Sequence, residues 1–439
     1  MAFAAKNQQI DGRPPVIVVW RARVPDALEV RMALNQMATR TPASGPGPHG
    51  PGNRASGDAL ASPTTIDVLR LALGLLMLIT IGRANEAYPF AFLFRPGLTL
   101  TALCLLLSVV RPRTANWKFL TGSSPVRRVL WVFALIPVSA VLGLSFGASI
   151  TLVLNSFLPT MVFFALLVIA MRDVADMRAI LGSYVISMLF LVYSGFFLWE
   201  TTSYDGFNRV GSNGMYDAND LAPIFGAGLP MALLFAQTSR GFGRWLGYGV
   251  AALTPALIAI TGSRGGFLAL LTTAFGLLVM VPTIGTMKKL LIVGFGVVAM
   301  ALAAPEGYMK QMGTIFDGKN DYNRTDQTGR VAIWKRGIGF LLEHPVGGVG
   351  IGNFARAQWS KPMFSETGAQ VREMAPHNSF VEVLVELGIP TFLIWFSVVV
   401  SGILGLTQLR SRLPRRWLKE DPDKRFLYLA CSYLPVSYL

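Results

Sequence analysis

The chain has 439 residues, of which 52% are hydrophobic and only 14% charged, against roughly 25% charged in a soluble globular domain. A mean hydropathy of +0.49 and apolar runs near ~20 residues, the length that crosses a bilayer core, exclude a soluble enzyme or transcription factor, and the solid runs exclude a porin-type barrel. The net charge of +15 reads as the Lys and Arg excess of cytoplasmic membrane-protein loops, so the expected partner is the lipid bilayer and not nucleic acid.

In chain order, residues 1–65 read as a cytoplasmic tail. PPVIVVW (Pro14–Trp20) has the pattern of a short strand, and TPASGPGPHGPGNR (Thr41–Arg54) that of a Pro/Gly-rich linker. No charged segment leads into an apolar stretch and cleavage site, so no signal peptide is expected; the tail is either genuine or an over-called translation start. Residues 66–304 carry nine apolar runs, at about 66–82, 88–110, 129–147, 150–171, 179–199, 221–237, 245–261, 266–282 and 289–304. A long hydrophilic loop follows at 305–377. Residues 378–439 supply a tenth run at 378–406, a basic loop and a partial eleventh run from Phe426 to Leu439. That last run is shorter than the ~20 residues needed to cross, so the natural chain is expected to continue past Leu439, or this chain to be a fragment.

The basic residues alternate with the runs. With the N-terminus in the cytoplasm, every inner connection is basic: Arg111 and Arg113, Arg127 and Arg128, Arg172 and Arg178, Arg240 and Arg244, Lys288 and Lys289, and Arg410 to Arg425. The short outer connections hold only Arg83, Arg95, Arg209 and Arg264. The positive-inside rule then agrees with ten full spans and places 305–377 on the outer face. The expected fold is an all-α, polytopic transmembrane helical bundle of about 10–11 spans with one long periplasmic loop. Cys104 and Cys431 lie in apolar runs, and the three histidines, His49, His344 and His377, are scattered. No disulfide framework, metal site or cofactor is expected.

Three helices are expected to start at the outer face, near Asp220, Gly265 and Ser379. Helix N-termini present free N–H groups and a positive dipole end, which suits anions. In Arg209–Asp220 (RVGSNGMYDAND) the turn formers read as a loop, with Asn219 or Asp220 as N-cap and Arg209 adding positive charge. In Gly262-Ser263-Arg264-Gly265-Gly266, Arg264 either snorkels to the headgroups or, with flanking glycines that let a ligand approach the backbone, reads a phosphate with its planar fork. In the long loop, Thr328 to Trp334 and Ile338, Leu341 and Leu342 have helical spacing, which predicts an amphipathic helix capped by Thr328, lying on the membrane with Trp334 as anchor. GGVGIGNF (Gly347–Phe354) follows no strand of a βαβ unit and is not read as a dinucleotide fingerprint. In PHNSFVE (Pro376–Glu382), Ser379 and Glu382 have the spacing of a capping box, which leaves His377 outside the cap as a side chain able to take a proton near neutral pH. Asn378, Glu382 and Glu386 form one stripe of the tenth helix, and Pro390 predicts a kink by denying the Glu386 carbonyl its helical bond.

SRGG at Ser263–Gly266, R-x-x-x-W at Arg330–Trp334, HPVGGVGIGNF at His344–Phe354 and PHNSFVEVLVELGIP at Pro376–Pro390, in this order, resemble the O-antigen ligase/polymerase family of bacterial envelope glycosyltransferases. The resemblance covers the C-terminal half; the N-terminal half matches only as hydrophobic spans. It implies transfer of a glycan from undecaprenyl diphosphate to an acceptor hydroxyl, lipid or glycan, at the periplasmic face of the inner membrane, metal-independent and inverting, in lipopolysaccharide or other surface polysaccharide biosynthesis. Repeat-unit polymerases and protein O-oligosaccharyltransferases share the motifs. On this resemblance His377 is the general base and Arg264 binds the diphosphate. Arg330 and Arg209 are further phosphate or glycan contacts, Glu382 or Glu386 orients an Arg or His377, and Asn378 and His344 belong to the substrate-binding set. Arg264 and His377 are expected to face one outer cavity within about 10 Å, so that contacts of hydrogen-bond length can bridge them through one diphosphate-sugar. The rival classes are a transporter or flippase, for which intramembrane carboxylates and a Pro-kinked helix also speak, and a scaffold of an envelope-assembly complex.

Overall fold

The computed structural model describes residues 67–87, 94–110, 116–199, 201–204, 207–210, 218–315, 317, 321, 324, 326, 329–359 and 375–439. The expected strand at Pro14–Trp20, the linker at Thr41–Arg54 and the Thr328 cap lie outside these residues.

Each of the ten apolar runs contains a helix. They are α1 (Val68–Thr80), α2 (Pro96–Val110), α3 (Ser124–Leu142), α4 (Phe146–Ala170, with a π-turn at Val153–Phe157) and α5 (Val174–Phe197). After a hairpin of β1 (Thr201–Tyr204) and β2 (Phe207–Val210) come α6 (Ala218–Thr238), α7 (Gly241–Ile260), α8 (Arg264–Met280) and α9 (Thr286–Ala303). The loop region forms α10 (Tyr308–Gly313), α11 (Arg330–Glu343) and α12 (Phe354–Trp359), and the chain closes with α13 (Ser379–Arg412), α14 (Trp417–Glu420) and α15 (Pro422–Tyr433). Among the described residues, seven helices are long and apolar enough to cross a membrane: α3, α4, α5, α6, α7, α9 and α13. Three more, α1, α2 and α8, are apolar but shorter. The architecture is thus the expected polytopic helical bundle. The hairpin enters the stretch Arg209–Asp220 read as a loop, since Arg209 and Val210 lie on β2. Its antiparallel register pairs Thr201 with Val210 and Thr202 with Arg209.

Helices dominate because a backbone in lipid must satisfy its own N–H and C=O groups. The prolines inside α3, α6 and α7 (Pro137, Pro223, Pro230 and Pro255) are tolerated where neighbouring helices support the broken turn. The largest core joins α5, α6, α7 and α15 through Leu191, Phe225, Leu257 and Leu429. A second core joins α1, α2 and α4 through Leu73, Cys104 and Ile169.

Both ends of the bundle are pinned by polar contacts. At one end Asp176 in α5 is 2% exposed and pairs with Arg70 of α1 and, at 2.8 Å, with Arg172, which also reaches Asp67. The hydrogen bond to Asp176 raises the Arg172 pKa further above its ordinary value. Arg410 of α13 donates to the Met280 carbonyl at the same end. Among the described residues, the basic connections gather at this end, because α1 and α5 begin there and α6, α8 and α13 finish there.

The partial eleventh run does not stand apart as a span. Its residues Phe426–Tyr433 are buried in the main core, and a 3₁₀ turn, Leu434–Tyr438, wedges between α8 and α13, where Val436 lies against Gly276 and Tyr438 against Gly402.

Candidate functional site at the other end of the bundle

α6, α8 and α13 all begin at the end opposite the basic connections, as the sequence reading expects. At the entry to α8, Gly262 has φ +59, a left-handed turn that glycine accepts without strain. Ser263 is the N-cap: its Oγ accepts from Gly266 N–H at 3.1 Å and donates to Asn219 Oδ1 at 3.0 Å. Gly266 is a packing glycine, since a Cβ there would collide with Ala222 of α6. At Gly265, by contrast, a Cβ would stand in ordinary contact, 3.7 Å from Ser263 Oγ.

Arg264 is the first residue of α8. Its guanidinium donates to Thr314 Oγ1 at 3.0 Å and to Asp321 Oδ1 at 2.8 Å. Both members of the ion pair are largely buried, their side chains 11% and 10% exposed. Arg209 on β2 donates to the Gly262 carbonyl at 3.1 Å, so it braces the same entry. The helix α6 starts at Ala218; Asn219 and Asp220 therefore sit in its first turn, not at the cap expected for them, and Asn219 is spent on Ser263.

At α13 the expected capping box does not form. Asn378 is the N-cap, its Oδ1 accepting from Phe380 N–H at 3.0 Å and Val381 N–H at 3.3 Å, and Ser379 is the first helical residue. Asn leads the N-cap ranking, so one residue's shift costs nothing. It places His377 immediately before the cap, exposed and at φ +46, a left-handed backbone rare for a side chain with a Cβ. The residue before it is held too: Trp334 Nε1 donates to the Pro376 carbonyl at 2.8 Å. The R-x-x-x-W motif thereby acquires a physical meaning. Trp334 ties α11 to the His377 turn, and Arg330, one turn earlier, starts α11 after the Gly329 cap. The Arg330 side chain makes no hydrogen bond or ion pair among the described residues. Glu382, exposed on α13, lies near enough to Asp220 of α6 for their charges to interact, which sets the starts of α6 and α13 close together.

The predicted kink is present, and it falls at Gly388, with φ 78 and ψ 172, two residues before Pro390. The segment 345–353 fills the break. Val349 N–H donates to the Val385 carbonyl at 2.9 Å, Gly350 N–H to that of Glu386 at 3.1 Å, and Ile389 N–H to that of Pro345 at 2.9 Å. Ser139 of α3 adds a bond to the Glu386 carbonyl at 2.7 Å. The Glu386 carboxylate accepts from Gly352 N–H at 2.8 Å and Phe354 N–H at 3.1 Å, and so fastens the start of α12. Glu386 is a positioning group in this arrangement. His344 ends α11 and its carbonyl accepts from Gly348 N–H at 3.0 Å. The glycine-rich stretch is thus a backbone plug for a broken helix, with Gly348, Gly350 and Gly352 all at positive φ.

α11 does not rest on the membrane by its apolar side alone. Ile333, Phe340 and Leu341 are buried with Phe354 of α12 and Val385 of α13. The amphipathic spacing was readable; that its apolar face meets protein was not.

The structure therefore brings Arg209 and Arg264 together with Asn219 and Asp321, and separately ties the His377 turn to Trp334, one turn along α11 from Arg330. The charges of Asp220, beside Asn219, and Glu382, one turn after Asn378, interact. Among the described residues no hydrogen bond or ion pair joins Arg264 to His377. Asp321 and Asn219 were absent from the sequence-derived set, because pairing across 57 and 44 positions leaves no local signal. Along α8 from Arg264 opens a cavity of about 640 Å³ between α6, α7, α8 and α9. Phe267 and Met300 stand at its Arg264 end, and Leu270, Leu277 and Val297 line it further along. Its walls are almost wholly apolar.

Residues 249–396 match a family model described as O-Antigen ligase. The match includes Arg264, Arg330, His344, His377, Asn378, Glu382 and Glu386, and bears out the resemblance read from the motifs. The match supports a ligase/polymerase-type function in surface polysaccharide biosynthesis, and the long apolar helices support a multi-pass membrane position. No curated protein matches the chain.

Proposed function

Taking the O-antigen ligase match as premise, we propose that the protein transfers a glycan from undecaprenyl diphosphate to the hydroxyl of a lipid or glycan acceptor. The reaction runs at the periplasmic face of the bacterial inner membrane and belongs to lipopolysaccharide or related polysaccharide synthesis. The observation that carries this reading is the stacking of Arg264, at the N-terminus of α8, directly above an apolar cavity between spanning helices. A polyprenyl tail suits the cavity, and a diphosphate suits the arginine and the free N–H groups above it. The clustering of basic residues at the opposite end supports a cytoplasmic N-terminus and a periplasmic site.

The chemistry balances without a metal. The acceptor oxygen attacks the anomeric carbon from the face opposite the diphosphate, the carbon–oxygen bond to phosphate breaks, and the configuration inverts. The hydroxyl proton passes to His377, whose place at the exposed turn before α13 suits a general base. The leaving diphosphate keeps the electron pair of the broken bond, and Arg264, with Arg330 and Arg209 adding positive charge, stabilises it; fixed cations aimed at developing charge are an effective form of stabilisation. Asp321 and Thr314 hold the Arg264 fork before the donor arrives.

Transfer and donor binding, measured separately on the full chain in nanodiscs with an undecaprenyl-diphosphate glycan, test the roles. His377→Ala should lower turnover by ~10²–10⁴-fold and leave donor binding intact. Arg264→Ala should weaken donor binding and turnover together, and Arg264→Lys should not restore them fully, since an ammonium lacks the planar fork. Wild-type turnover in the His377 variant sinks the mechanism. The surface-glycan profile of a deletion strain then separates the branches of the family: long unattached polymers mark a ligase, single repeat units on the acceptor a polymerase.

A further inference from the structure

At the basic end of the bundle, away from the site above, a cleft of about 230 Å³ opens between the α6–α7 turn and the α14–α15 junction. Thr238, Ser239 and Arg240 form one wall, and Lys419, Asp421 and Arg425 stand on the other. The charges here do not cancel. Glu420, also at the cleft, is held between Arg416 and Lys424, at 3.1 Å from each. Asp421 caps α15, accepting from Asp423 N–H at 2.7 Å and Lys424 N–H at 3.3 Å. Asp423 pairs with Arg178 at 3.0 Å. Each carboxylate is therefore engaged, while Arg240, Lys419 and Arg425 are exposed and make no ion pair among the described residues. Arg240 is also the N-cap of α7 and supplies no side-chain cap, so the first N–H groups of that helix add to the positive field.

The depth of the cleft follows from its neighbours. Phe242 and Trp245, on the first turns of α7, are 81% and 73% exposed. Large aromatics displayed at the start of a spanning helix mark the level of the lipid headgroups. The ligand that meets all three features is anionic at one end, apolar at the other and fixed at the bilayer surface. A volume below the ~300 Å³ at which small-molecule pockets begin has room for a glycerophosphate group and none for a nucleotide.

We propose that this cleft binds the headgroup of an anionic glycerophospholipid of the leaflet at this end. The phosphate lies among Arg240, Lys419 and Arg425, and the acyl chains run along Phe242 and Trp245. The lipid thereby clamps α15 onto α6 and α7, where the buried face of α15 joins the main core.

The test uses the full chain in zwitterionic phosphatidylcholine nanodiscs, with and without phosphatidylglycerol. Phosphatidylglycerol should raise the unfolding temperature, and a photoactivatable phosphatidylglycerol should crosslink wild-type peptides covering 237–242 and 418–425. The variant R240Q/K419Q/R425Q should lose both effects and unfold in pure phosphatidylcholine at the wild-type temperature. A control, K118Q/K288Q/R412Q, removes three exposed charges from the same end and should keep both. Inorganic phosphate or glycerol 3-phosphate, added at millimolar concentration, should leave the unfolding temperature unchanged. Crosslinks spread evenly over the basic end, equal loss in the control variant, or a full shift with the soluble phosphates would each overturn the proposal. The crosslink map needs no variant and therefore decides even if the triple variant fails to fold. Donor transfer is unaffected by its failure, so the two readings stand or fall separately.

Discussion

Arg264 and His377 show how much chemistry a single residue's setting carries. Arg264 is matched by Asp321 before any donor is present, so a diphosphate must share or replace an existing carboxylate partner. That exchange keeps a largely buried cation from standing alone, a state that is costly. His377 is held by its neighbours in a conformation it would not choose. Left-handed backbone costs a residue with a Cβ ~1–2 kcal/mol, and it persists because Trp334 grips Pro376 and Asn378 is fixed as cap. Strain kept at one exposed histidine is the pattern of a functional position. It predicts an inverted order of substitutions: His377→Gly should be more stable than His377→Ala by ~1 kcal/mol, both lacking transfer. Chemical denaturation of the purified variants measures this, and an alanine variant that is the more stable of the two counts against the strained turn. The motifs around both residues were legible in the sequence, since Ser-Arg-Gly-Gly and Pro-His-Asn-Ser are local patterns. Their partners were not, because Asp321, Asn219 and Trp334 come from elements brought together only by folding.

Among the elements, α13 teaches most. Its proline announces a kink, yet the break itself falls at Gly388, where a Cβ would collide with the Val346 carbonyl and where φ is 78. The helix interruption is held open by residues 345–353, which supply the N–H and C=O groups the broken turn needs. A sequence shows that Pro390 disturbs its own helix; it does not show which distant strip of backbone will fill the gap. The misread cap at Ser379 has a similar cause, since Asn378 and Ser379 are both good caps and only the geometry of the His377 turn selects the first. Gly388→Ala should be destabilising by ~1–2 kcal/mol from backbone strain alone, with more from the clash. It should also lower transfer by displacing the arm that carries His377. A thermal unfolding curve and a turnover assay on the same preparation check both, and an unchanged variant would mean that the plug tolerates a Cβ.

At the scale of the whole molecule, the alternation of apolar runs and basic connections was enough to place ten helices and to send the starts of α6, α8 and α13, with the candidate residues on them, to one end. The hairpin at 201–210 and the burial of α15 escaped it, because neither alters the hydropathy pattern. The two ends differ in kind: one gathers the basic connections, the other holds Arg264 between a hydroxyl and a carboxylate. With the N-terminus in the cytoplasm, a cysteine placed near Asn320 should react with a membrane-impermeant reagent added to intact spheroplasts, and one near Arg127 should not. The reverse pattern would turn the molecule over and move the site to the wrong compartment.

The length of α13 adds a consequence. On the far side of the break at Gly388, residues Ile389–Arg412 of α13 rise ~36 Å at 1.5 Å per residue, enough to cross a hydrocarbon core of ~30 Å. The arm on the near side of the break, from Gly388 back to Asn378, is about 15 Å long and on the proposed chemistry works as a mast, with His377 at its end. Altitude above the lipid is then written into the chain by a count of residues, and on the proposed chemistry an acceptor anchored in the same leaflet is gauged by its stem. One whose hydroxyl rides too low never reaches the masthead, and one with a stem of matching height is selected before any sugar is recognised.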